Sequence, residues 1–493
     1  MTFEAPRLSV DSMNSLVVRA EYAVRGPVVA RASEISEEIK RGKPSSADTL
    51  RSFEKIISCN IGNPHALKQK PLTYVRQILA LCSYPELINS SPEAFPRDVL
   101  YKAAEFLAGT NGGIGAYTET EGLAVVRNKV SKFIEARDGY PADSKTIMLT
   151  SGASEGIKRI IQSLLRNREQ LPKETVADGI MIPCPQYPLY SCQITLCGGS
   201  IVYYDLEEEK RWSISQDSLL ESFNEATARG ICVRAITVIN PGNPTGNLLA
   251  YEDIKTVIEF AAQRNLVILA DEVYQANVYR ENAKFFSFKK VLRDLQRDGG
   301  SFKETQLVSF HSTSKGLIGE CGLRGGYMEL IGFDSATFQE IKKLAASSLS
   351  GPTLGQIACG AMVDPPKPGE ESYDLYQKET LGIFESLSRR AKQVERCLNS
   401  IPGFSCQPID GAMYAFPRIE IPTSIIKEAE RRCLQPDELY CMKLVEDEGL
   451  VAVPGSGFGQ RKGTWHMRLT ILPAEEDLEN VLERIRRFHI RLV

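Results

Sequence analysis

The chain has 493 residues, 43% hydrophobic and 25% charged, with 59 Lys and Arg against 62 Asp and Glu. That length allows two or three domains around a large core, and a net charge of −3 creates no basic field for nucleic acid or an anionic membrane. No apolar run approaches the ~20 residues of a membrane-spanning helix, the first residues carry no hydrophobic signal core, and twelve scattered cysteines with four separated histidines form no metal-binding pattern. The composition points to a soluble protein acting on small molecules, with free, mostly buried thiols in a reducing compartment. A cytoplasmic location is expected, an organelle being the alternative.

Residues 12–42 interleave apolar and charged positions (Leu16, Val17, Ala20, Tyr22, Ala23, Ile35, Ile39), a texture suited to surface helices packed as an arm on the body or on a second subunit. Proline and glycine clusters at 111–113, 183–185 and 365–369 mark turns. Short apolar runs at 180–182, 201–204, 233–239, 266–270, 306–310 and 326–330 read as strands. The run 233–239 ends in the turn residues 240–246; Ile254, Val257, Ile258 and Ala261 then recur at helical spacing before 266–270 delivers Asp271 and Glu272. This is a β-α-β unit with parallel strands. An α/β domain over 95–355 follows, its ligand crevice beyond the carboxyl ends of the strands, where Asn243, Asp271 and the 312–315 loop fall.

Past residue 370 the texture changes to charged helical stretches at 373–399 and 427–448, interrupted by 411–417, while 465–472 alternates as a strand presenting Arg468. A smaller α+β domain is expected there. The anticipated division is an arm (1–45), a large domain (95–355) and a small domain assembled from 46–94 and 356–493.

Several residues at the crevice carry chemistry. Asp271, at the mouth of a parallel sheet, is placed to pair with a protonated heterocyclic nitrogen, and a low dielectric strengthens such a pair; read alone it is equally a helix cap. Tyr274 adds a hydroxyl three residues on. Lys315 follows three hydroxyls in Ser312-Thr313-Ser314-Lys315-Gly316 and can form an imine with a carbonyl once it loses a proton. The serines, with Arg324, suit phosphate. Ser154, at the start of an apolar helical pattern (Ile157, Ile160, Ile161, Leu164), offers a second anion site. Two other patterns count for less: Gly455-Ser456-Gly457-Phe458-Gly459 lacks nucleotide-binding spacing, and Ser312-x-x-Lys315 matches the serine acyl hydrolase pattern, with Ser312 as nucleophile, but without its companion motifs.

Taken in order, Asn243-Pro244-Thr245-Gly246, Asp271-x-x-Tyr274, Ser312-x-Ser314-Lys315 and Arg324 resemble the fold-type-I, pyridoxal-phosphate-dependent aminotransferases. The resemblance tightens toward the alanine aminotransferase branch through Asn60-Ile61-Gly62-Asn63-Pro64-His65, Pro185-Gln186-Tyr187-Pro188-Leu189-Tyr190-Ser191 and Val453-Pro454-Gly455-Ser456-Gly457-Phe458-Gly459-Gln460, and it runs from about Tyr22 to the C-terminus.

This resemblance implies a large domain with a mostly parallel sheet flanked by helices, plus a smaller α+β domain. It implies that Lys315 holds pyridoxal 5′-phosphate and later moves the substrate α-proton. Asp271 would pair with the ring nitrogen, Asn243 and Tyr274 would bond the ring oxygen, and Tyr187 would stack on the ring. Ala153, Ser154, Ser312, Ser314 and Arg324 would cradle the phosphate. Tyr117 would reach the phosphate of a neighbouring subunit, hence a homodimer with shared sites. Arg468 would clamp the substrate α-carboxylate, with Gly62 beside it. The implied reaction exchanges the amino group of L-alanine with 2-oxoglutarate, with glutamate:glyoxylate transamination as the alternative. A silent scaffold is disfavoured because Lys315, Asp271 and Arg468 are all present. No metal, nucleic acid or membrane enters this reading.

Overall fold

A computed structural model of the chain describes residues 7–22, 26–41, 53–299 and 302–493. Parts of the expected arm, 1–6, 23–25 and 42–45, lie outside them, as do 46–52.

The centre is an eight-stranded sheet of β1 (Ile147–Thr150), β2 (Ala177–Cys184), β3 (Ser200–Glu207), β4 (Ser213–Ile214), β5 (Ile231–Ile239), β6 (Val267–Asp271), β7 (Leu307–Ser312) and β8 (Gly326–Ile331). Their spatial order is β1-β8-β7-β6-β5-β2-β3-β4. The five strands β7-β6-β5-β2-β3 run parallel. On one side β8 runs antiparallel to β7 and β1 antiparallel to β8, so β1 again shares the central direction; on the other side β4 pairs antiparallel with β3. The β5-helix-β6 unit is as the sequence predicts: helix Tyr251–Gln263 joins two parallel strands in register Ile239 to Asp271.

Strand alternation sends neighbouring residues to opposite faces. Ile236, Ile268 and Ala270 pack under Ile254, Val257 and Ile258 of helix Tyr251–Gln263. On the other face Ala235, Leu269, Val308 and Phe310 meet Ile157, Ile160 and Ile161 of helix Ala153–Leu164. With both faces covered, the central strands read as unbroken apolar runs. Among the described residues no helix is long and apolar enough to cross a membrane.

The C-terminal part carries the long helix Tyr373–Asn399, which matches its expected span. The second expected helical stretch, 427–448, is instead two helices, Thr423–Arg431 and Pro436–Glu448. Cys433 takes φ 55° between them and Pro436 opens the second helix, where its missing N–H costs nothing. The expected alternating strand at 465–472 is shorter, Met467–Thr470, and buried throughout, because it is the middle strand between Tyr414–Ala415 and Val453–Pro454.

The expected opening of the smaller unit, 46–94, contributes to two places. Ile57–Ser58 pairs in parallel with Leu450–Val451. Helix Thr73–Ser83 shares a core with Phe106, Val126 and Ile357, so Val75, Ile78 and Leu81 are buried in the body that carries β1 and β8. Of the arm, helix Pro27–Lys40 buries Val28, Ala32 and Ile35 against helix Pro436–Glu448.

Candidate active site

The parallel strands end on one side of the sheet, and three of them deliver polar residues there. β6 terminates at Asp271, β7 at Ser312 followed by Ser314 and Lys315, and β5 runs into the turn that holds Asn243. Helix Ala153–Leu164 points its N-terminus, with Ala153 and Ser154, at the same hollow. From the C-terminal part, Met467–Thr470 brings Arg468 and the adjacent strand brings Tyr414. These residues, with Gly62, Tyr187, Tyr274 and Arg324, line one cavity of about 170 Å³. A larger hollow of about 930 Å³ beside it, bounded by 26–29 and 452–465, holds none of the predicted residues.

Lys315 Nζ donates to the carbonyl of Gly62 at 2.7 Å. Ser312 Oγ accepts from the backbone N–H of Ser314 at 3.1 Å, which holds the start of this loop. Arg324 takes φ 56°, a left-handed conformation uncommon outside glycine, and so turns its guanidinium onto Ser314 Oγ (3.3 Å) and the Ser151 carbonyl (2.8 Å). Gly152, φ 76°, lies against that guanidinium: a Cβ there would collide with it.

Asp271 is buried, and Tyr190 donates to its Oδ2 at 3.0 Å, while Oδ1 has no hydrogen-bond partner among the described residues. Burial pushes this carboxyl up to about 6, against the Tyr190 hydroxyl, a backbone N–H and the charge of Lys315. Behind it, burial raises Glu272 to about 7 and holds His311 down at about 3.

Arg468 is 1% exposed. Its guanidinium lies 4.3 Å from the ring centre of Tyr414 and 4.7 Å from that of Phe458. It donates to Asn243 Oδ1 at 3.0 Å and to the Asn60 carbonyl, and Nε is left without a partner. Five N–H groups with two engaged leave a fork for a carboxylate. The Arg468 contact also fixes the Asn243 amide, so its Nδ2 remains as a donor.

Of the predicted residues, Tyr117 alone is not in this cavity; it is 77% exposed. Three others were not predicted. Tyr22 bonds the Tyr187 hydroxyl at 2.8 Å, Tyr190 reaches Asp271, and Tyr414 meets the Tyr274 hydroxyl at 3.3 Å. Tyr190, on helix Leu189–Leu196, stands in the same motif as Tyr187, but that motif gave it no role. Among the described residues no cluster of three or more His, Cys, Asp or Glu is placed to hold a metal.

The chain belongs to the aminotransferase class I and II family, whose model matches residues 83–485. It is an enzyme of that family, a pyridoxal-phosphate-dependent aminotransferase, with the fold of the type-I group. It is 45% identical over 485 residues to alanine aminotransferase 2, mitochondrial, of Arabidopsis thaliana, covering 98% of this chain and 87% of that one. It is 44% identical over 484 residues to glutamate–glyoxylate aminotransferase 2 of the same plant, covering 98% and 96%. Among solved structures, an alanine aminotransferase from Pyrococcus furiosus shares the fold at a TM-score of 0.73 and 23% identity, covering 97% of this chain and 100% of that one.

The residues present fit the cofactor. The unpartnered, buried Oδ1 of Asp271 suits an N–H donor, as a protonated ring nitrogen is. The Arg324 guanidinium, two serine hydroxyls and a helix N-terminus converge as a phosphate site requires.

Proposed function

We propose that this chain catalyses the reversible exchange of an amino group between L-alanine and 2-oxoglutarate, giving pyruvate and L-glutamate in two half-reactions. The observation that carries the site assignment is the meeting of Lys315, Asp271 and Arg468 in one buried cavity at the carboxyl end of the sheet. Transamination itself follows from the family; the alanine reading is supported by near-full-length relatives at 45% identity that bear that name.

Bound pyridoxal phosphate supplies an electron-withdrawing ring that takes up the pair released at the substrate α-carbon. In this account Asp271 keeps the ring nitrogen protonated through Oδ1. Asn243 Nδ2 and Tyr274 donate to the ring oxygen, and Tyr187 covers the ring. Ser154, Ser312, Ser314 and Arg324 hold the phosphate, with Ala153 at the helix N-terminus. Arg468 takes the substrate α-carboxylate on its free N–H groups and so orients the α-carbon. Lys315 Nζ, beside Gly62, would carry the proton from the substrate α-carbon to the cofactor C4′ within one half-reaction and carry it the opposite way in the other.

A homodimer with shared sites is part of the same proposal. Tyr117 and Leu349 are exposed apolar side chains, and the Thr118 N–H donates to Ser350 Oγ, which makes their loops neighbours. Gly351 lies against Ser151, whose carbonyl holds Arg324, so this patch borders the phosphate end of the cavity. A second copy seated there brings its own Tyr117 toward the phosphate. Sedimentation velocity of the wild type and Tyr117→Asp tests it: a dimer that the charge weakens supports the proposal, and a monomer contradicts it.

We propose a cytoplasmic location, supported by twelve unpaired cysteines, which suit a reducing compartment; cell fractionation decides between it and the mitochondrial location named for some relatives.

The test of the reaction is the visible spectrum of the holoenzyme during titration with alanine, glutamate, 2-oxoglutarate and glyoxylate. Conversion by alanine and recovery by 2-oxoglutarate at comparable concentrations support the alanine reading. The relatives named for glutamate and glyoxylate give the second reading its standing, and recovery by glyoxylate in strong preference to 2-oxoglutarate would decide for it.

A further inference from the structure

Tyr414 stands where the two parts of the site meet. Its strand runs antiparallel to Met467–Thr470, which sets it beside Arg468. The side chain is buried, and its two ends are engaged differently. The ring face carries the Arg468 guanidinium at 4.3 Å. The hydroxyl accepts from that of Tyr274 at 3.3 Å, and it fills the space over Gly62, where a Cβ would collide with it and stand 3.1 Å from Lys315 Nζ.

A phenol has one proton to give. Here Tyr274 gives it to Tyr414; once Tyr274 turns its proton to the cofactor's ring oxygen, its own oxygen can only accept, and the bond reverses so that the Tyr414 hydroxyl donates. We propose that Tyr414 is a positioning residue of the transamination site: its hydroxyl donates to Tyr274 while its ring seats the Arg468 guanidinium, tying the cofactor-facing phenol to the carboxylate clamp. Burial acts to raise Tyr414, but the charges of Lys315 and Arg468, with the Tyr274 hydroxyl it accepts from, hold the phenol below its ordinary value, whereas burial leaves Tyr274 well above its own. The proposal rests on the roles given above to Tyr274 and Arg468.

Two variants of the holoenzyme separate the two ends of the side chain. Tyr414→Phe keeps the ring and removes the hydroxyl. Without a donor behind it, Tyr274 stabilises the ring oxygen less and the Lys315 nitrogen keeps its proton longer, so the pH midpoint of the visible band is expected to rise by about half a unit or more. Binding of propionate, a carboxylate without an amino group, should change by less than about twofold. Tyr414→Leu removes ring and hydroxyl together, so the same rise in midpoint should be joined by propionate binding about tenfold weaker. An unchanged midpoint in Tyr414→Phe overturns the hydroxyl's role, and unchanged propionate binding in Tyr414→Leu overturns that of the ring. Tyr274→Phe and Arg468→Lys run alongside: if these move neither midpoint nor propionate binding, the underlying site assignment has failed rather than the role of Tyr414.

Discussion

The Tyr190 hydroxyl donates to Oδ2 of Asp271 at 3.0 Å, with both side chains enclosed. That contact holds the carboxylate in one orientation and leaves Oδ1 as its unpartnered oxygen. A donor at Oδ2 stabilises the ionised form, so Tyr190→Phe should push Asp271 above its value of about 6. A hydrogen bond to a charged group contributes about 1.5–3 kcal/mol, so kcat/KM should fall by about tenfold or more. The acidic limb of its pH profile should move to higher pH. A profile that keeps its limb would show that Tyr190 only packs.

Asp271 should also cost stability in the cofactor-free protein. Between the ordinary aspartate value near 4 and about 6, the folded chain holds a proton that the unfolded chain has lost. Stability therefore falls as pH rises through that window, and the whole penalty is present above it. Asp271→Asn is expected to stabilise the cofactor-free protein by about 2–3 kcal/mol at pH 7 and by little near pH 4. The same change should lower kcat by about a hundredfold or more, since an amide cannot keep the ring nitrogen charged. Urea unfolding at the two pH values checks this, and equal stabilisation at both would refute the ionisation argument.

Gly62 has no room for a side chain, because its Cα faces the Tyr414 hydroxyl and Lys315. Gly62→Ala should lower turnover by about tenfold or more through displacement of Lys315 and Tyr414, with little loss of thermal stability at this edge of the core. Stopped-flow rates of the alanine half-reaction measure it; a wild-type rate would mean that the loop yields freely.

What the sequence discloses here follows burial. The central strands are covered on both faces, so 233–239 and 266–270 stand out as apolar runs, the first within β5 and the second overlapping β6 from Val267 on. β1 escaped because four residues before a glycine-rich turn give no periodicity to read, and its place beside β8 depends on residues far along the chain. The break at 432–435 escaped because charged residues on both sides share one helical texture, although Pro436 marked it. Lys315 and Asp271 stood in the ordered motifs and Arg468 on the alternating strand, and the structure brings all three to one cavity. Tyr190 and Tyr414 were not legible, because what defines them is a partner 81 or 140 residues away.

Arg468 is assigned to the carboxylate that every substrate shares. Arg468→Lys keeps the charge but loses the planar fork and its seat between Tyr414 and Phe458. Alanine and 2-oxoglutarate should both lose about 2–4 kcal/mol in kcat/KM, with cofactor affinity little changed. Single-turnover measurement of each half-reaction tests this; an effect confined to 2-oxoglutarate would place Arg468 at the distal carboxylate instead.

The central claim is that Lys315 Nζ is the nitrogen that carries the cofactor and moves the proton. Borohydride reduction of the holoenzyme fixes the cofactor to whichever nitrogen holds it, and peptide mass mapping then reads the position. The expected result is one modified lysine, Lys315, with a Lys315→Ala variant that takes up no label and does not turn over. Label on another lysine, or wild-type turnover in Lys315→Ala, would contradict it.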